Sequence, residues 1–223
     1  INMGELYQLN KNNDIAILMS KQALATINGY RIRNDEDEAI RLLNSIGTLF
    51  CDNRKYELAI TCYKTLFRIM ELSEKKPVTS IIISALMKLA LVHRMQRQYD
   101  DAIKCYRRAL LMQRNSHGGN TDIIKNTMRK IAQIYFEKKD YSTTISIYRE
   151  IINIQQGHHY ELSNAELHEL IGMAYLKKGS FQSAVNHFFE SKSIKKSVMG
   201  ENNAAVALIL YKIATAYLMK GDE

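Results

Sequence analysis

A small residue, an aromatic three positions later, a second aromatic six further on and another small residue three beyond that recur at a nearly fixed interval along this chain. The pattern reads Gly47, Phe50, Tyr56, Ala59, then Ala90, His93, Tyr99, Ala102, then Ala132, Tyr135, Tyr141, Thr144, then Gly172, Tyr175, Phe181, Ala184. Partial copies stand at Gly4, Tyr7, Ala16 and at Ala214, Tyr217. A period of this length restricts the fold sharply, because each unit is one supersecondary element that buries its apolar face only by stacking on its neighbours. The step between the two small residues is 12 wherever both occur, whereas the leading small residues lie 43, 43, 42, 40 and 42 apart. The rigid part is therefore the core of each unit, and the links absorb the variation.

Each core reads as two helices. The first carries apolar residues at i, i+3, i+4 and i+7, as in Leu43, Ile46, Gly47, Phe50 and in Met128, Ile131, Ala132, Tyr135, a stripe that faces a partner helix. A polar turn follows, and the second helix then buries Ala59 and Tyr63, Ala102 and Tyr106, Thr144 and Tyr148, or Ala184 and Phe188. Asp140 and Ser180 stand where an N-cap would bond free amides. One Pro and ten Gly in 223 residues are too few for a turn-rich β fold. Pro77, the only proline, suits the first turn of a helix, and Gly29-Tyr30, Gly118-Gly119-Asn120 and Gly157-His158-His159 mark links.

The stretch from Ala90 through Tyr99, Ala102 and Tyr106 to Ala109 resembles the tetratricopeptide repeat, and Ala214 to Gly221 resembles the first half of another. The usual repeat has about 34 residues. A period near 42 is similar to the long-helix variant of kinesin light chains and related cargo or scaffold proteins. The resemblance covers nearly the whole chain and implies an all-α, right-handed superhelical solenoid of helix hairpins. It implies one domain over 1–223, with repeats at 38–76, 78–116, 121–156 and 163–198 and partial repeats at 1–28 and 203–223. Departures are His93 and Ser20 at aromatic positions, Thr144 at a small position, and Leu66 and Ile151 where Ala is frequent. The half-units at the ends leave apolar faces without caps. Together with a first residue other than Met, this predicts a piece of a longer protein and allows end-to-end homo-oligomers.

Little in the sequence carries chemistry. Gly118-Gly119 lacks the Lys-Ser/Thr of a phosphate loop. His117, His158 and His159 have no helical partner ligands, and a structural or catalytic zinc site needs three or four. His93 and His168 fall on first helices, where packing or groove lining is expected. The acidic run Asp35 to Glu38 complements a helix dipole. No stretch approaches the roughly 20 uninterrupted apolar residues of a spanning helix, and these residues show no signal-peptide pattern, so no membrane span is expected within them, while a targeting signal could lie outside them. Cys51, Cys62 and Cys105 have no metal-ligand spacing and fit a reducing, cytoplasmic setting. No catalytic residue, cofactor, metal or small-molecule substrate is expected.

The formal charge of +8 suits an acidic partner. Turn residues Lys11, Arg54, Lys55, Arg97, Lys138, Lys139, Lys177, Lys178 and Lys220 would form a basic ridge if the units stack. RNA binding there would need exposed aromatics, and Tyr56, Tyr99, Tyr141 and Phe181 are expected to pack inward. The concave groove of such a solenoid is lined by first helices. Its predicted binding residues are Lys88, Leu91, Arg94, Asn126, Arg129, Lys130 and Gln133, a basic and amide patch suited to a protein or peptide with an acidic segment. Glu166, Glu169 and Met173 follow in the next unit, so the groove is expected to change sign there. The function expected is a protein–protein interaction scaffold or adaptor. Alternatives are an architectural subunit of a larger assembly such as a ciliary or transport complex, a peptide-sensing regulator, or an RNA binder.

Overall fold

The computed structural model describes residues 14–15, 17–23, 25–26, 36–72, 79–116, 121–155 and 161–221. The described residues form helices joined by turns, with no strand among them. Beyond helical residues before position 27, the elements are α1 (Glu36–Asp52), α2 (Tyr56–Leu72), α3 (Thr79–Met95), α4 (Tyr99–Asn115), α5 (Thr121–Glu137), α6 (Tyr141–Ile154), α7 (Glu161–Lys177), α8 (Phe181–Met199) and α9 (Ala204–Gly221). They fall into two compact units, 1–116 and 117–223. The expectations for Gly4, Tyr7, Lys11, Ala16, Gly29-Tyr30, Asp35, Pro77, His117 to Asn120 and Gly157 to His159 lie outside the described residues.

In the first unit α1 packs on α2 and α3 on α4, with α3 also against α1 and α2. Its core joins Leu43, Phe50, Tyr63, Leu66, Ala85 and Val92, with Ile17 added from the amino-terminal side. In the second unit α5 packs on α6, α6 on α7, α7 on α8 and α8 on α9. Ala184, Val185 and Phe188 meet Ile209, Ile213 and Ala216 in its carboxy-terminal core. The buried aromatic of each hairpin is the residue 16 positions after the leading small residue: Tyr63, Tyr106, Tyr148 and Phe188. A small leading residue is needed because this ring lies against the first helix. A Cβ built on Gly47 would stand 2.8 Å from Tyr63 Cζ, and one on Gly172 would stand 2.6 Å from Phe188 Cε1.

The other motif aromatics depart from expectation. Phe50 is buried, but Tyr135 and Tyr175 are half-buried, as are Tyr56, Tyr99, Tyr141 and Phe181 at the turns. These positions lie toward the turn end of each hairpin, where one edge of the ring faces water. The unusual residues are absorbed by packing: Leu66 and Ile151 are fully buried, and the Thr144 hydroxyl donates 2.8 Å to the Asp140 carbonyl.

The four described hairpin turns share one geometry. The residue seven after the leading small residue is left-handed: Arg54 (φ 57°), Arg97 (φ 60°), Lys139 (φ 64°) and Gly179 (φ 80°). Its N–H bonds three residues back, and the next N–H bonds five residues back, as in Lys139 to Phe136 at 2.9 Å and Asp140 to Tyr135 at 2.9 Å. This is a Schellman closure, in which the second donor residue also begins the next helix. Asp140 caps α6 as expected, accepting from Thr143 N at 3.0 Å, whereas Ser180 makes no side-chain capping bond. Their ψ angles are similar, 75° at Asp140 and 66° at Ser180. At such an angle the carboxylate, one bond longer than a hydroxyl, reaches the amide. A non-glycine residue in the left-handed region costs about 1 kcal/mol. Lys139→Gly should therefore gain about 0.5–1 kcal/mol after glycine's extra unfolded-state entropy is subtracted. Gly179→Ala should lose about 1 kcal/mol. Urea midpoints of the two variants moving in opposite directions would verify the turn assignment, and a shared direction would refute it.

Candidate functional site

The predicted groove residues divide between the units. Lys88, Leu91 and Arg94 lie on α3 of the first unit, with Leu91 exposed and the two basic residues half-buried. The Lys88 charge is felt by the Cys51 thiol and that of Arg94 by the Tyr106 phenol. In the second unit Asn126, Arg129, Lys130 and Gln133 line a single open cavity of about 520 Å3, together with Phe136, Tyr148, Leu170 and Met173. They converge because residues 3, 4 and 7 apart share one face of α5, while Ile131 and Ala132 turn inward onto the hairpin.

Arg129 is held in place. Its Nη2 donates to the Ser163 hydroxyl at 2.7 Å, and Gln155 Nε2 donates to the same oxygen at 3.1 Å. The guanidinium thus spans from α5 to the first turn of α7 beside Tyr148, whose phenol is pushed up by burial and pulled partly back by the Arg129 charge. Phe136 and Leu170 were legible by register. Phe136 follows Gln133 by three, and Leu170 follows Lys130 by the same interval as Gly172 follows Ala132. Ser163 had no sequence signal, because the link before it varies in length.

The two acidic residues expected to change the sign of the groove at the next repeat differ in their surroundings. Glu166 is exposed, but Glu169 is 8 % exposed and lies between Lys195 Nζ and Lys212 Nζ, each at 2.5 Å. Burial alone would raise its pKa, yet hydrogen bonds and charge from the two lysines outweigh burial and hold it below the ordinary value. The negative charge is neutralised from α8 and α9, a pairing that no local motif announces.

Histidines on α7 and α8 form the other polar cluster. His168 Nδ1 and His187 Nδ1 are 3.0 Å apart, and the His187 ring stacks on Tyr175 with centroids 5.5 Å apart. Arg149 Nη2 donates to the Tyr175 hydroxyl at 2.9 Å. His187 is pushed down to about 4, first by burial, then by His168 and Arg149. Burial likewise lowers His168, against the opposing charge of Glu190. Among the described residues no group of three or more His, Cys, Asp or Glu is placed to hold a metal. The three thiols are free, and burial pushes that of Cys62 up to about 12, so they are poor nucleophiles.

Two of the turn lysines have local work. Lys178 donates to Ser142 Oγ at 3.0 Å and Lys220 to Gln182 Oε1 at 2.8 Å. In the first unit Gln96 donates to Glu57 Oε1 at 2.6 Å. In each case the turn of one repeat reaches the second residue of the preceding repeat's second helix, so these side chains clip neighbouring hairpins.

The terminal helix α9 departs from expectation. Its 18 residues are long and apolar enough to cross a membrane by length and composition. Their apolarity also has a packing origin. Val206, Ile209, Ile213 and Ala216 are buried on one face, while Ala214 and Tyr217, at the motif positions a second helix covers in the other repeats, are exposed.

Residues 81–157 match the family model of the tetratricopeptide repeat. A search of curated protein sequences finds no significant match. Among solved structures, the apo form of RapI aligns with 100% of this chain and 62% of its own at TM-score 0.70 and 15% identity. A putative kinesin light chain with nearly identical TPR-like repeats, from Podosopora anserina, aligns at TM-score 0.63 and 13% identity, over 86% of this chain and 90% of that one. BtubC (BKLC) from P. vanneervenii aligns at TM-score 0.62 and 14% identity, over 94% and 85%. At these identities the likeness is one of fold. The sequence thus carries a tetratricopeptide-repeat match over residues 81–157, and the chain shares the helix-hairpin solenoid fold of these structures.

Proposed function

We propose that this chain is a non-catalytic interaction scaffold or adaptor, and that the α5–α7 cavity of the second unit receives a peptide or protein segment containing an acidic residue. The fold is in general a protein–protein interaction scaffold. The observation that carries the finer reading is the convergence of Asn126, Arg129, Lys130 and Gln133 on one cavity, with Arg129 oriented in advance by Ser163 and Gln155. A cation held in position loses less entropy on pairing with a carboxylate than a free one, and the neighbouring amides satisfy peptide backbone. The cluster of free, unactivated thiols suits a reducing compartment such as the cytoplasm. A basic-ridge function is less favoured, because Lys178 and Lys220 bind within the protein.

The test is selection of peptides from a random display library against the chain, followed by titration of the selected peptides. Asp and Glu should be enriched. Arg129→Glu with Lys130→Glu should weaken the selected peptides by about tenfold to a hundredfold, the range for a charged hydrogen bond, with an unchanged helical circular dichroism spectrum. Equal affinity of the folded double variant would exclude this site.

A further inference from the structure

Met173 belongs to two cavities of the second unit. One is the basic and amide cavity on α5; the other, of about 310 Å3, lies between α7 and α9 and is lined by Met173, Leu176, Leu208, Tyr211, Thr215 and Met219, with Lys177 and Lys212 at its rim. The repeat register relates the two. Leu208, Tyr211 and Thr215 follow Asn126, Arg129 and Gln133 by the same interval that separates Ala214 from Ala132. They are therefore the α9 counterparts of the cavity-lining residues of α5, distinct from the hairpin face that carries Ala214 and Tyr217. Leu208, Tyr211 and Met219 are 52 %, 69 % and 44 % exposed. Contiguous apolar exposure of this kind marks interaction surfaces. On α7 the same register carries Glu166, which is exposed, and Glu169, which Lys195 and Lys212 neutralise.

We propose that this face takes one extended partner segment of two-part character, an acidic residue on Arg129 and Lys130 and a bulky apolar residue on the Met173–Leu176–Leu208–Tyr211 surface. The inference rests on the groove reading above and adds the apolar half. Charge complementarity places the acid at α5, and continuity through Met173 sets the direction. Packed helices lie about 8–10 Å apart. One to two such steps, at about 3.3 Å per extended residue, separate the two anchors by roughly three to six residues.

The test uses three fluorescein-labelled peptides in a Gly/Ser background. The first carries Asp-Asp and, four positions on, Phe-Leu. The second replaces Phe-Leu by Ser-Ser, and the third replaces Asp-Asp by Asn-Asn. Anisotropy titrations against the whole chain should show the first binding about tenfold more tightly than the second, the effect of burying one large apolar side chain. Leu208→Ser with Tyr211→Ser, both exposed and so harmless to folding, should bring the first peptide to the affinity of the second and leave the second unchanged. Equal binding of the first two peptides, or insensitivity to the Leu208 and Tyr211 changes, overturns the apolar half alone. Insensitivity to Arg129→Glu and equal binding of the third peptide overturn the groove reading itself. No binding of the first peptide up to about 1 mM counts against both. Vesicle cosedimentation or self-association abolished by the Leu208 and Tyr211 changes, with peptide binding unaffected, would assign the apolar surface elsewhere and overturn the proposal.

Discussion

Replacing Glu169 by alanine is expected to destabilise the second unit by about 3 kcal/mol, because it leaves two lysines close together without their counter-ion in a largely buried site. The carboxylate is 8 % exposed and is bonded from α8 by Lys195 and from α9 by Lys212, so its loss uncouples three helices at once. The lower end of the range for a broken buried pair applies, since the Lys212 side chain keeps 25% of its exposure. Changing Glu169, Lys195 and Lys212 together to Met should recover most of the loss, because apolar packing removes the desolvation cost along with the pairing. A triple variant no more stable than Glu169→Ala would show that the charges do not act as one unit.

The same residue gives an acid signature. Its folded pKa is lowered from 4.5, so its contribution is complete above that value and disappears as pH falls through the folded one. His187 acts higher in the range. Held down to about 4 from 6.5, it stays neutral in the folded protein while the unfolded chain takes up a proton, and stability falls as pH drops between those values. Denaturant unfolding across pH should therefore show the slope below 4.5 flattened in Glu169→Gln and the slope from 6.5 to 4 flattened in His187→Gln. Identical pH profiles in all three proteins would refute both assignments.

Gly172→Val is expected to cost about 3 kcal/mol, the upper end for overpacking a filled core. Its Cβ alone would lie 2.6 Å from Phe188 Cε1, and that ring is fully buried and has nowhere to retreat. Ala90 and Ala132 occupy the equivalent position in the hairpins of Tyr106 and Tyr148 and are fully buried, so a Cβ is accommodated there. The comparison variant is Ala132→Gly, which should lose about 1 kcal/mol through helix propensity alone. A Gly172→Val protein with an unchanged urea midpoint would mean that the α7–α8 contact is looser than described.

Much of the hairpin was legible because its determinants are local. The constant step of 12 locates the two helices, and the residue 16 after the leading position identifies the buried ring. The face of α5 carrying Asn126, Arg129, Lys130 and Gln133 followed from helical spacing. Other features escaped because they depend on residues far apart in sequence or on backbone angles. Ser180 has a capping side chain, but at ψ of 66° its short hydroxyl makes no capping bond where the longer Asp140 carboxylate does at 75°. Glu169 reads as a groove charge until Lys212, on a helix two elements later, is seen to neutralise it. Turn lysines read as a ridge, yet two of them close onto the previous hairpin.

The sequence by itself determined the period, the helix pairs and the face each first helix turns away from its hairpin, because these follow from side-chain spacing along single helices. Only the tertiary structure decided which charges remain available on that face. Whether a carboxylate such as Glu169 meets solvent or a lysine depends on which helices pack around it, and of the two acidic residues expected to reverse the sign of the groove only Glu166 is left exposed.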